Sequence, residues 1–271
     1  MQDGGRILAV ANQKGGVGKT TTAVNLGAAL ASVGRRVLVV DLDPQGNATT
    51  NLGVLKNDVE KSSYWLLIGN TDLQSVISDT AIENLYVVPS SEELVGAEAE
   101  LLDEDLVLKE KRRFMMLDAL RGGAGQPFSG GFDYVLIDCP PSLNLLTVNA
   151  FAASDAIVVP LQCEFLALEG LKQLLQTINL IKKSVHPTLE VQGVVLTMFD
   201  RSVKLSGEVA DDAREQLGYL VYDTLIPRNV KIAEAPSHGM PVLQYDPACS
   251  GSRSYIKLAA EFLQREQDPV L

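Results

Sequence analysis

Lys14-Gly15-Gly16-Val17-Gly18-Lys19-Thr20-Thr21 decides how this chain of 271 residues is read. It follows a short apolar run, Ile7 to Ala11, that stops at Asn12, and it leads into a helical pattern from Lys19 to Val33. Glycines in such a loop let backbone N–H groups curl around oxyanions with no Cβ in the way. The N-terminus of the following helix adds partial positive charge. Strand, loop and helix in this order predict a phosphate loop, with Lys19 reaching the β- and γ-phosphates and the Thr20 hydroxyl holding Mg²⁺. The candidate nucleotide-binding residues are therefore Gly15, Gly16, Val17, Gly18, Lys19, Thr20 and Thr21. The common G-x-x-x-x-G-K-[ST] pattern fails at its first position, which falls on Gln13, and a second lysine, Lys14, opens the loop instead.

Outside the loop the alternation continues. Val37–Leu42, Leu85–Val88, Tyr134–Ile137, Ala156–Val159 and Val191–Leu196 are short apolar runs rich in β-branched residues, each closed by a polar residue or proline. Strands buried on both faces have this composition and belong to parallel sheets covered by helices. Helical patterns lie between them, notably Leu143–Ala153, Leu168–Lys183 and Ser206–Leu217. The expectation is an α/β fold: a single-domain P-loop NTPase over residues 1–271, its doubly wound, mostly parallel sheet flanked by helices on both faces. Residues 1–5 and 267–271 are expected as flexible ends. Residues 122–131, with five glycines, are expected as a flexible surface loop. An acidic helix before that loop is expected to end in Lys109-Glu110-Lys111-Arg112-Arg113, read as a solvated helix face.

Two carboxylates complete the expected site. Asp138 closes the run Tyr134–Ile137, where a P-loop protein needs an acid facing the metal. Asp43 closes Val37–Leu42, and in a parallel sheet both strand ends open at the same edge as the loop. Asp43 is the choice for orienting the attacking water and is also a candidate metal group. Asp41 shares its face and is read as a metal-supporting or strand-end acid.

Composition narrows the rest. Hydrophobic residues make up 46% and charged residues 21%, which is globular and excludes global disorder. No apolar run approaches the roughly 20 residues that span a bilayer, and Met1–Arg6 carries no signal-peptide pattern. A cytoplasmic protein is expected. Cys139, Cys163 and Cys249 match no short metal-binding spacing, and His186 is expected in a solvated loop. The net charge of −11 argues against nucleic acid in general. Residues 201–257 are nonetheless locally neutral, with seven bases and seven acids, which leaves room for a small basic patch.

These motifs resemble a known family. Lys14–Thr20 is similar to the deviant Walker A motif of the ParA/MinD ATPases. Asp41-Leu42-Asp43-Pro44-Gln45-Gly46-Asn47 resembles their second motif, and Ile137-Asp138-Cys139-Pro140-Pro141-Ser142 their Walker B. Ile226-Pro227-Arg228-Asn229 and Glu234–Gly239 resemble segments of the ParA/Soj branch, and the likeness runs from about Ile7 to about Leu263. The resemblance implies an ATPase using ATP/ADP and Mg²⁺, in which two subunits sandwich two ATP molecules. Lys14 would reach the partner's phosphates, Gly15 would permit the close approach of the two loops, and Asp43 would position the lytic water. Pro227, Arg228 and Asn229 would contact the adenine. The ATP dimer would bind double-stranded DNA of the nucleoid without sequence preference and be released when a ParB-type partner stimulates hydrolysis.

For the DNA surface the resemblance points to the segment after Asp200, here carrying Arg201 and Lys204, with Lys231, Arg253 and Lys257 as further candidates. A solvated surface charge is the competing reading for each. The alternative function is a MinD-like positioning ATPase acting on a membrane or protein partner. It calls for a basic amphipathic C-terminal helix, whereas Glu261–Leu271 is acidic and interrupted by Pro269, so no membrane partner is expected. A redox iron protein would need cysteine contexts that Cys139 and Cys163 do not provide. A degenerate regulator is disfavoured by intact Lys14, Lys19, Thr20, Asp43 and Asp138.

Overall fold

The structure, a computed structural model, describes residues 4–101, 113–122, 128, 130–165 and 167–267. The expected basic end of the acidic helix lies almost wholly outside these residues, as do most of the glycine-rich loop and the last four residues.

Seven strands form one sheet in the order β3-β4-β2-β5-β1-β6-β7. They are β1 (Arg6–Val10), β2 (Val37–Asp41), β3 (Ser78–Asp79), β4 (Leu85–Val88), β5 (Tyr134–Asp138), β6 (Ala156–Gln162) and β7 (Glu190–Thr197). Every pairing is parallel except β3 with β4. The six expected strands are all present, with ends shifted by up to three residues at β6, which runs on past Pro160. The two-residue edge strand β3 has no apolar run to announce it and was not legible in the sequence.

Alternate residues of each strand feed two cores, one on each face. Ile7, Ala9, Leu38, Val40, Val135 and Ile137 face one cluster with helices Leu145–Ala153, Ala167–Ser184 and Lys204–Leu217. Leu8, Val10, Val37, Val39 and Leu136 face the other, with helices Lys19–Ser32 and Ser250–Gln267. Helix Lys19–Ser32 is buried nearly all round from Thr22 to Ala31, as its alanine-rich sequence requires. Helix Ser250–Gln267 instead packs one stripe inward: Tyr255, Leu258, Ala259 and Phe262. Among the described residues no helix is long and apolar enough to cross a membrane.

The strand register brings the carboxyl ends together. Val10 is level with Asp138, and Asp41 is level with Asp138 on its other side. The loop after β1 and the acids of β2 and β5 therefore emerge at one edge of the sheet, where parallel α/β proteins bind ligands.

Candidate functional site

The phosphate loop is held by bonds from outside itself. Asn12 is buried; its Nδ2 donates to the Pro160 carbonyl at 2.7 Å, and its Oδ1 accepts from the Lys14 N–H at 3.0 Å. Gly16 (φ 75°) and Gly18 (φ 89°) are left-handed, a conformation that side chains resist, and this sets the curl of the loop. Gly18 caps helix Lys19–Ser32, so the N-terminal amides of that helix open into the loop. Lys19 is largely buried, and its Nζ donates to the Lys14 carbonyl at 3.2 Å. Burial lowers the Lys19 pKa, and the nearby carboxyl groups of Asp138 and Asp43 oppose that shift.

Asp138 is fully buried, and both its carboxylate oxygens lack a hydrogen-bond partner among the described residues. Burial, and then the neighbouring Asp41, push its pKa well above the ordinary carboxylate range. The Thr20 hydroxyl lies close enough to oppose the shift without completing a hydrogen bond of normal geometry. An unpaired buried carboxylate is costly. Its neighbourhood with Thr20 and Lys19 is the arrangement that a hydrated divalent cation beside nucleotide phosphates would satisfy, so the residues fit Mg²⁺ and a nucleotide.

Asp43 sits two residues beyond the end of β2 and is buried but for 8% of its surface. Its Oδ1 accepts from the Gln45 N–H at 3.0 Å, and its carbonyl accepts from the Gly46 N–H and the Ser90 hydroxyl. Asp41 is engaged otherwise. It accepts from the Thr49 N–H and hydroxyl and from the Asp43 N–H, and burial lifts its pKa to about 6. Asp41 therefore shapes the turn that carries Asp43. Ser63, Ser90 and Thr49, which clasp this turn, carry no local sequence signal; they reach it from elsewhere in the chain.

Lys14 is exposed and forms an ion pair with Glu164, whose other oxygen accepts from Gln162 Nε2 at 2.7 Å. Glu164 lies just after β6, and nothing in the sequence connected it to the loop. A Cβ added at Gly15 would meet no atom within 4 Å. Val17 is buried, and its carbonyl accepts from the Thr197 hydroxyl at 2.8 Å. Thr21 is partly buried, and its carbonyl accepts from the Asn25 side chain.

The segment expected near the base is tied to the end of β7: Phe199 N–H donates to the Ile226 carbonyl and Arg228 N–H to the Phe199 carbonyl, both at 3.0 Å, with Pro227 level with Phe199. The Asn229 side chain caps the next helical turn at the Lys231 N–H and donates to Ser250, so its amide is already engaged. Of the basic candidates, Arg201 is exposed, Lys204 pairs with Glu208, and Lys231 pairs with Glu234. Arg253 and Lys257 are exposed one turn apart on helix Ser250–Gln267. The five lie on three segments that the Phe199–Arg228 and Asn229–Ser250 bonds join in turn.

Two smaller expectations are settled here. His186 is half-buried, so it is only partly solvated, and burial lowers its pKa. Cys139 and Cys163 are buried free thiols, and burial raises the pKa of both, Cys163 to about 11, which disfavours the thiolate that cluster ligation needs.

Fold and site together define a P-loop nucleoside-triphosphatase. A family described as an AAA domain matches residues 5–191. The chain is 52% identical over 263 residues to the chromosome partitioning protein ParA of Caulobacter vibrioides, covering 97% of this chain and 96% of that one. It is 49% identical over 257 residues to the sporulation initiation inhibitor protein Soj of Bacillus subtilis, covering 95% and 98%. Among solved structures it is similar to a cobyrinic acid a,c-diamide synthase from Mycobacterium smegmatis with bound ATP analog and magnesium, at 35% identity and a TM-score of 0.82, covering 98% and 97%. The chain belongs to the ParA/Soj family of chromosome-partitioning ATPases.

Proposed function

We propose that residues 1–271 act as one ATPase domain whose ATP-bound pair binds double-stranded DNA without sequence preference and lets go when a ParB-type partner stimulates hydrolysis. The loop amides and Lys19 hold the phosphates of ATP. Thr20 and Asp138, with Asp43 nearby, would hold Mg²⁺, which would supply neutralisation of phosphate charge. The Gly46 and Ser90 bonds fix the Asp43 backbone and the Gln45 N–H holds one carboxylate oxygen, which leaves the other suited to orienting a water.

The observation that carries the two-subunit reading is the outer lip of the loop. Lys14 turns sideways to Glu164 instead of into its own loop, and the space over Gly15 is open. A charge so placed serves phosphates of a second copy, where it completes the clamp only in the dimer. The membrane alternative is weakened because the apolar stripe of helix Ser250–Gln267 is already buried in the core. Such a protein works in the cytoplasm, on the nucleoid.

The test is retention of the protein on arbitrary-sequence duplex DNA with ATP·Mg²⁺ against ADP·Mg²⁺ at one stated salt concentration. Retention with ATP alone is expected. Equal retention would overturn the nucleotide control of DNA binding; none, with ATP-dependent dimerisation intact, would overturn the DNA reading and leave the nucleotide switch.

A further inference from the structure

Thr197 ends β7 and touches the phosphate loop across the site. A loop that turns its N–H groups inward must turn carbonyls outward, and a buried carbonyl needs a donor. For Val17 that donor is the Thr197 hydroxyl, at 2.8 Å, on a residue only 2% exposed. The Thr197 methyl also lies 3.8 Å from where a Cβ on Gly18 would stand. The Thr197 carbonyl accepts from the Cys163 N–H at 3.2 Å, next to Glu164, the partner of Lys14.

The chain leaves this point under strain. Met198 has φ 51°, a left-handed conformation that a non-glycine residue resists. Phe199 then docks in both directions on Ile226 and Arg228. Asp200 caps the turn that follows, accepting from the Ser202 N–H at 2.9 Å and hydroxyl at 2.6 Å, before the helix begins at Lys204. Within four residues the chain thus contacts the loop, the neighbour of the Lys14 partner and the Arg228 segment, and it opens the turn that holds Arg201.

We propose that Thr197 is a positioning residue that joins the phosphate loop to the β7 exit, so that nucleotide in the loop sets the conformation of residues 199–206. Met198 supplies the second arrangement such a coupling requires, because a strained residue has a lower-energy backbone to relax into once its restraint is gone. The proposal rests on the nucleotide reading of the loop and is independent of what the exit segment binds.

Hydrogen exchange on the full chain tests it, comparing the parent, Thr197→Val and Thr197→Ser with ATP·Mg²⁺, with ADP·Mg²⁺ and without nucleotide. Valine keeps the volume and removes the hydroxyl; serine keeps the hydroxyl. In the parent, ATP·Mg²⁺ is expected to slow exchange at residues 15–21 and also at 199–206, there by roughly fivefold, the effect one neutral hydrogen bond supports. Thr197→Val should keep the slowing at the loop and lose it at 199–206, and Thr197→Ser should restore it. A merely structural role would instead raise exchange throughout the sheet in Thr197→Val, alike with and without nucleotide. The proposal is overturned if the parent shows no response at 199–206, if Thr197→Val responds like the parent, or if Thr197→Val binds no nucleotide. No slowing at the loop itself in the parent would instead overturn the nucleotide reading.

Discussion

Gly15 and Gly16 are neighbours with opposite tolerances. Gly16 needs a left-handed backbone, so a side chain there strains the loop; Gly15 does not, and a Cβ on it meets open space. Gly15→Val is therefore expected to fold and bind ATP yet stay monomeric, because among the described residues nothing lies within 4 Å of the Cβ it adds. Light scattering that finds a dimer with ATP would contradict this. Lys19→Ala removes the loop's one buried cation and should abolish tight ATP binding in a nucleotide titration. Asp43→Ala leaves the loop intact, so it should retain ATP, lose hydrolysis and persist as the dimer; turnover at the parent rate would end the water-positioning role. Asp138 carries a proton more readily than an ordinary carboxylate, because burial raises its pKa. A cation needs the carboxylate form, so protons and Mg²⁺ compete. Mg²⁺·ATP binding should release protons, seen by calorimetry in buffers of different ionisation enthalpy, and Mg²⁺ affinity should fall as the pH falls. Affinity independent of pH between about 5 and 8 would remove Asp138 from the metal site.

At the scale of elements, the weak point in the regular sheet is where β6 meets β7. Their register slips between Ile157 and Val158, and Gly193 stands level with Val158. A Cβ on Gly193 would come within 2.5 Å of the Tyr222 ring and 3.0 Å of the Leu220 carbonyl. Gly193→Ala should cost about 1–3 kcal/mol by overpacking, read as a lower denaturant midpoint with an unchanged slope; an unchanged midpoint would show that the ring moves aside freely. This packing was invisible in Val191–Leu196, which reads simply as a buried strand. The strands and the phosphate loop were legible because period and glycine placement are local signals. Ser63, Ser90, Glu164 and Thr197 were not, since each acquires its role only when the fold brings distant segments to one edge. The sequence marks Pro227, Arg228 and Asn229 only through a resemblance, and it did not show the use of the Asn229 amide as a helix cap.

The whole molecule carries a net charge of −11, so any DNA contact must be local and made against the global field. Lys204 and Lys231 are each shared with a glutamate, which weakens their claim relative to Arg201, Arg253 and Lys257. ATP-dependent DNA retention should decline steeply between about 50 and 200 mM salt, as counterion release demands; retention insensitive to salt would mean that phosphate contacts do not carry it. The order of the sheet has a further consequence, for synthesis. β1, made first, sits between β5 and β6, which are made more than a hundred residues later. A nascent chain that has already emitted the entire glycine-rich motif still has no neighbours for the strand that supports it and no Asp138. Ribosomes thus expose the phosphate-binding sequence early while the competent pocket arrives late, and an unfinished polypeptide cannot consume ATP before it has most of its sheet.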